Sequence, residues 1–242
     1  MWPIYTKELT GFFATLTGYV AGATFLALTG LLIFVIPGQW NALDTAQANL
    51  NTLFNAAPWL FLFLVPAVTM RMFAEERKEG TLELLLSRPV SPLQVLMGKF
   101  LAALTLIALM ILPTLVYYIT VHRFAAPPGN VDSGAAMGSY LGLLLLAAVY
   151  TAIGLFASSL TRNPIVAFML AALLALLAYI GFESVAGLPL FLGHQHQVAT
   201  LGIEEHYRAI RRGVVDSRDI IYFLSLVALF LYAAILTLKR GK

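Results

Sequence analysis

Ile165-Val166-Ala167-Phe168-Met169-Leu170-Ala171-Ala172-Leu173-Leu174-Ala175-Leu176-Leu177-Ala178-Tyr179-Ile180-Gly181-Phe182 contains no charged residue. A helix of this length rises about 27 Å, close to the roughly 30 Å hydrocarbon core of a bilayer. Comparable apolar runs fall at about 11–36, 56–72, 100–121, 137–160 and 220–238. None alternates like a strand, so the pattern predicts an all-α membrane protein with six transmembrane helices in one domain, 1–242. Composition agrees. The 242 residues are 60% hydrophobic and only 11% charged, where soluble domains carry roughly 25% charged residues. Phe12–Ile36 is too long for a signal-peptide core, so the first run is expected to remain as the first span.

Six spans place both termini on one side. That side holds Lys7, Arg71, Arg77, Lys78, Arg88, Lys99, Arg162, Lys239, Arg240 and Lys242. The other side holds Arg123, Arg208, Arg211, Arg212 and Arg218. Basic residues gather in cytoplasmic loops, so the termini and the 73–99 loop are expected in the cytoplasm. The net charge of +3 is therefore a topology signal and does not point to nucleic acid. Three segments then face outward, at 37–55, 122–136 and 183–219. The first is expected to hold a short interfacial helix with Leu43, Leu50, Leu53 and Phe54 on its apolar face. In the third, Leu201–Arg212 is expected to be helical. Gly213 would cap that helix, and Asp216 or Ser217 would start the last span. Pro58 suits a helix start, and Pro66 and Pro113 are expected to kink their helices.

Several chemistries are missing. There is no G-x-x-x-x-G-K-[ST] run, so ATP binding by this chain is not expected. No nucleophile, paired-carboxylate or cysteine site is present, and the chain has no cysteine. His194-Gln195-His196 reads as a surface loop, since two histidines without a third ligand make a poor metal site. Every charged residue is expected near a span end, with Arg71 and Glu183 the deepest. Self-powered carriers bury ionisable groups at mid-membrane, so energy must come from elsewhere. Gly18 and Gly22 form one G-x-x-x-G and Gly138 and Gly142 another, continued by Gly154 and Ser158. Such stripes let helices approach closely, either within one bundle or between two subunits.

The charged island Glu75-Glu76-Arg77-Lys78-Glu79-Gly80-Thr81-Leu82-Glu83-Leu84-Leu85-Leu86-Ser87-Arg88-Pro89 interrupts this apolar chain. Its first half continues a helix out of the second span, and Gly80 breaks it. Thr81 is placed to cap a short helix with Leu82, Leu85 and Leu86 on one stripe and Glu83 in its first turn. Pro89 stops that helix. Ser91-Pro92-Leu93-Gln94 restarts the next with a capping box. Such a segment is either a membrane-surface helix or a docking helix for a cytoplasmic partner. Its acidic residues weigh against simple adhesion to an anionic leaflet.

The run Arg71–Leu85, with Ser87-Arg88-Pro89-Val90-Ser91 and Gly98-Lys99-Phe100, resembles the stretch between the second and third helices of ABC-2 type permeases. Topology, length and the Lys7-Glu8-Leu9 approach to the first span fit the same family. Residues Gly213–Phe223 resemble the gliding-motility-associated subgroup. The resemblance implies a permease subunit in a bacterial inner membrane. Two copies would pair above two cytoplasmic ATPase subunits that hold the ATP and Mg, with no cofactor in this chain. Glu75, Glu76, Glu79, Gly80, Thr81, Leu82, Glu83, Leu85 and Leu86 would form the ATPase-coupling segment. Met1–Thr10 would be an amphipathic helix at the inner surface, among membrane lipid, and 189–213 an outer helical cap. An auxiliary membrane-anchored protein with an outer domain would be a further partner. Two functions remain open at this point: ATP-driven movement of an unknown substrate, or transmission of force to the outer partner without transport.

Overall fold

A computed structural model describes residues 1–37, 41, 50–86, 90–125, 132–191 and 193–240. The protein is helical throughout, with no strand among these residues. Five helices are long and apolar enough to cross a membrane. A sixth crossing exists if α1 (Trp2–Phe13) and α2 (Leu16–Phe34) are one span, bent by 68°. The helix α1 has no buried residue and carries Lys7 and Glu8, which suits a surface-lying helix.

The second span is longer than the expected 56–72. It begins as α3 (Asn51–Thr69) and continues through α4 (Arg71–Lys78). Pro58 therefore lies inside the helix and does not start it. Proline has no N–H, which leaves the carbonyl four residues earlier without its helical donor. That carbonyl belongs to Phe54, and the buried Tyr207 hydroxyl donates to it at 2.8 Å. A distant side chain thus makes the proline tolerable. The expected interfacial helix at 37–55 lies mostly outside the described residues, and its last part is the start of α3.

Below Pro66 the chain makes a turn at Met70, where α3 passes into α4. Backbone donors at this joint find a side chain. The Phe73 and Ala74 N–H groups donate to Ser158 Oγ at 3.0 and 3.1 Å, and Ser158 donates to the Met70 carbonyl at 2.9 Å. Ser158 lies on α8 (Ser133–Leu160), the 28-residue helix at the centre of the bundle. Replacing Ser158 with alanine orphans two buried N–H groups and is expected to cost about 1–3 kcal/mol. An apparent Tm in detergent no lower than that of an exposed-site control such as Lys78→Ala would contradict this.

The charged loop resolves into α4, then α5 (Thr81–Leu86), then α6 (Pro92–Ile111). Gly80 sits at φ +71°, a conformation that side-chain-bearing residues rarely adopt. It supplies the break. Thr81 is not the cap expected from the sequence. It is already in the helix, and its hydroxyl donates back to the Glu76 carbonyl at 3.3 Å. The capping box on α6 is present. Gln94 N–H donates to Ser91 Oγ at 3.2 Å, and Ser91 N–H donates to Gln94 Oε1 at 3.1 Å.

The third span runs from α6 through a 3₁₀ turn at Leu112–Thr114 into α7 (Leu115–Phe124). Pro113 lies in that turn, where a kink was expected. The fifth span begins as α9 (Pro164–Leu176), passes through a π-helical turn at Leu177–Gly181 and ends in α10 (Phe182–Ala186). The segment between the fifth and last spans folds into α11 (Gln195–Ala199) and α12 (Ile203–Arg211). Gly213 closes α12 at φ +83°, and a Cβ there would stand 2.6 Å from the Ala135 backbone. The last span is α13 (Ser217–Arg240), with Asp216 Oδ1 accepting from Arg218 N–H at 3.0 Å.

Candidate functional site: the root of the charged handle

The residues singled out in the handle divide by exposure. Glu79, Gly80, Thr81 and Glu83 are exposed, Glu75, Glu76 and Leu85 are half-buried, and Leu82 is buried in the apolar core. The Leu86 side chain lies outside the described residues. Leu82 therefore anchors α5 to its own bundle. The free face of the handle is acidic and polar, carried by Glu79, Thr81 and Glu83.

At the root of the handle stands Lys99, whose importance sequence reasoning missed. Its helix starts at Pro92, as the capping box predicts, and Lys99 lies inside the packed bundle, only 1% exposed. Its ammonium meets Glu8 Oε1 at 2.7 Å, Glu76 Oε1 at 2.9 Å and the Met72 carbonyl at 2.7 Å. The Phe73 ring centroid lies 5.2 Å away. An ammonium has three N–H donors, and three acceptors surround it. Lys7 adds a more exposed contact to Glu76 at 3.2 Å. One cation thus ties together α1, α4 and α6.

Local sequence explains why α1 reaches this point. A Cβ on Gly98 would come within 3.1–3.2 Å of Met1 and Ile4, so the missing side chain lets α1 lie on α6. Tyr5 then donates to Thr105 Oγ1 at 3.3 Å. The last span joins the same end, because Arg77 donates to the Thr237 carbonyl at 3.3 Å. The signal available in the sequence was Lys99 following Gly98, although its buried partners come from helices far away in the chain.

The family model for the ABC-2 family transporter protein matches residues 59–238, well over half of the chain. The chain belongs to the ABC-2 transporter family. No curated protein matches it. Family membership makes the chain a transmembrane component of an ABC transporter, with the ATPase in a partner. The ABC-2 region takes in the whole handle, Lys99 and five of the six expected spans, and leaves out α1 and α2.

The four glycines of the G-x-x-x-G motifs face other elements of this ABC-2 chain. A Cβ on Gly18 would meet the Phe12 ring at 2.5 Å, at the bend between α1 and α2. Gly22 lies against Met110 of α6. Gly138 packs on Gly213, and Gly142 on Ile210 and Tyr207 of α12. Gly154 shows the closest approach among these α8 glycines, since its Cβ would fall 2.1 Å from Thr69 Oγ1 on α3.

The opposite end of the bundle, around α12, is cross-linked in a similar way. Tyr207 is buried between α3 and α8, and Ser139 donates to the Arg211 carbonyl at 2.8 Å. Arg211 also bonds Asn55. Arg208 bridges Glu183 at 2.9 Å and Glu204 at 3.0 Å. Burial pushes the Glu204 carboxyl above the ordinary carboxylate range, and hydrogen bonds to Glu183 and Glu204 raise Arg208 above the ordinary guanidinium value. His206 stacks on Tyr222 at 3.9 Å and bonds Asp219 at 2.6 Å and the Thr200 carbonyl at 2.9 Å. His194 bonds Gln197 within the α11 turn, and His196 is exposed on that helix.

Proposed function

We propose that this chain is the permease of an ATP-driven transporter in a bacterial inner membrane, with both termini cytoplasmic, and that α5 receives the stroke of a separate ATPase. The observation that carries the reading is the buried Lys99 cluster. It couples the root of the handle to α1 and to the third span, so displacement of α4 moves all three. Coupling requires stiff, discrete connections between the site that is pushed and the element that moves. ATP and Mg belong to the partner. Two permease copies pair, as the family resemblance implies, and the substrate is unassigned.

The exposed acidic face, Glu79 with Glu83, is the contact offered to the ATPase. Reversing both charges (Glu79→Lys with Glu83→Lys) is expected to abolish co-purification of the ATPase while leaving the detergent Tm of the chain unchanged. Normal co-purification and normal stimulation of ATP hydrolysis would sink the assignment.

One observation favours force transmission to an outer-domain partner. The helix α8 is continuous for 28 residues, about 42 Å. Ser158 and Gly154 bind the handle's stem at one end, and Ser139 and Gly142 bind α12 at the other. A push on α4 thus has a rigid route to the outer cap. The resemblance of residues 213–223 to the gliding-motility-associated subgroup supports an auxiliary partner on that side.

A further inference from the structure

A groove between α2 and α3 runs into a charged cavity beneath the bend of α1. The groove, of about 270 Å³, is apolar and lined by Phe25, Leu28, Phe63 and Leu64 among others. The cavity, of about 470 Å³, is lined by Lys7, Glu8, Arg71, Glu75, Glu76, Glu79 and Lys99 among others. Ala67 borders both. On the continuous second span, Leu60, Leu64, Ala67, Arg71, Glu75 and Glu79 recur at three- and four-residue spacing and so share one face. Along that face the chemistry changes in order. It is apolar to Ala67, then a cation at Arg71, then anions at Glu75 and Glu79, with a rise of about 6 Å per four residues.

Lys99, Lys7, Glu8 and Glu76 satisfy one another, apart from Glu76 Oε2, which is buried without a hydrogen-bond partner. The side chains of Arg71, Glu75 and Glu79 make no hydrogen bond or ion pair with any described residue. They therefore offer one positive and two negative groups to a ligand. A purely anionic headgroup would meet Arg71 but also two carboxylates. A phospholipid with a primary ammonium beyond its phosphate presents the matching sequence of acyl chain, anion and cation.

We propose that this groove and cavity bind one phospholipid of the phosphatidylethanolamine type. Its acyl chain lies between α2 and α3, its phosphate meets Arg71, and its ammonium donates to Glu75 and Glu79. The site shares Glu79 with the face offered to the ATPase, but its test reads lipid retention by this chain alone, so the two readings fail separately.

The test is native mass spectrometry of the full chain in detergent. It is titrated with phosphatidylethanolamine, phosphatidylglycerol and phosphatidylcholine of identical acyl chains. Phosphatidylethanolamine is expected to be retained at least about fivefold better than either. Phosphatidylcholine has the positive charge but no N–H donor. The double variant Glu75→Gln with Glu79→Gln is expected to lose the preference while keeping its Tm, and Arg71→Gln to weaken all three lipids. Equal retention of the three lipids by the native chain, or a preference that survives the double variant, would overturn the proposal. So would efficient disulfide dimerisation of Phe63→Cys in membranes, since the native chain has no cysteine and the groove would then hold a second copy.

Discussion

Lys99→Ala is expected to lower the stability of the chain by about 3–5 kcal/mol, the cost of breaking a buried ion pair from one side. Lys99 is 1% exposed, and its partners Glu8 and Glu76 are 16% and 14% exposed. Without the ammonium, two carboxylates face each other in a poorly solvated space, with only the exposed Lys7 nearby. Either α1 leaves α6 or one carboxylate takes up a proton. The measurement is the apparent Tm of the detergent-solubilised protein, with proteolysis around residues 13–15 reporting release of α1. The triple variant Lys99→Met, Glu8→Gln, Glu76→Gln removes every charge while keeping volume, and is expected to recover much of the loss. A single variant as stable as Lys78→Ala, an exposed control, would show that the cluster contributes nothing. A triple variant that is stable but no longer stimulates its ATPase would separate coupling from folding.

Gly154→Leu is expected to abolish the native packing of α8 on α3. Its first added carbon would sit 2.1 Å from Thr69 Oγ1 and 2.9 Å from Thr69 Cβ. Both helices are held at this point by neighbours, so neither withdraws without opening the core. Gly154→Ala is the milder probe, and overpacking of this kind costs about 1–3 kcal/mol. Thr69→Ala removes the hydroxyl and methyl that clash, and combined with Gly154→Ala it is expected to restore part of the Tm. Additive losses in that double variant would mean the two residues are not in contact. Gly80→Ala makes a useful comparison. Space is open around Gly80, and the cost there comes only from its φ of +71°.

Much of the architecture was legible from residue order. Apolar runs of about twenty residues locate the spans, because every backbone polar group in a bilayer must be bonded within its own helix. Gly80, Ser91 with Gln94, and Gly213 mark breaks and caps through local backbone chemistry. Pro58, Thr81 and Lys99 departed from the local reading, Pro58 and Lys99 because of remote side chains. Pro58 looked like a helix start, but Tyr207 supplies the donor that allows the helix to begin at Asn51. Thr81 looked like a cap, but Gly80 makes the turn and Thr81 lies inside α5. Lys99 looked like a flanking charge, but Glu8 and Glu76, on helices far away in the chain, enclose its ammonium within the bundle. The π-helical turn at Leu177–Gly181 left no mark in an unbroken apolar run.

The sequence by itself determined that this is a helical membrane protein with a charged handle between its second and third spans. Those properties depend on solvent preference and on contacts a few residues apart. Only the tertiary structure decided that Leu82 turns inward while Glu79, Thr81 and Glu83 face out. The same is true of Lys99 joining α1, α4 and α6, and of Gly154 serving the α3–α8 crossing. Each of these depends on groups dozens of residues apart in the chain. Their burial and pairing exist only once the helices have packed.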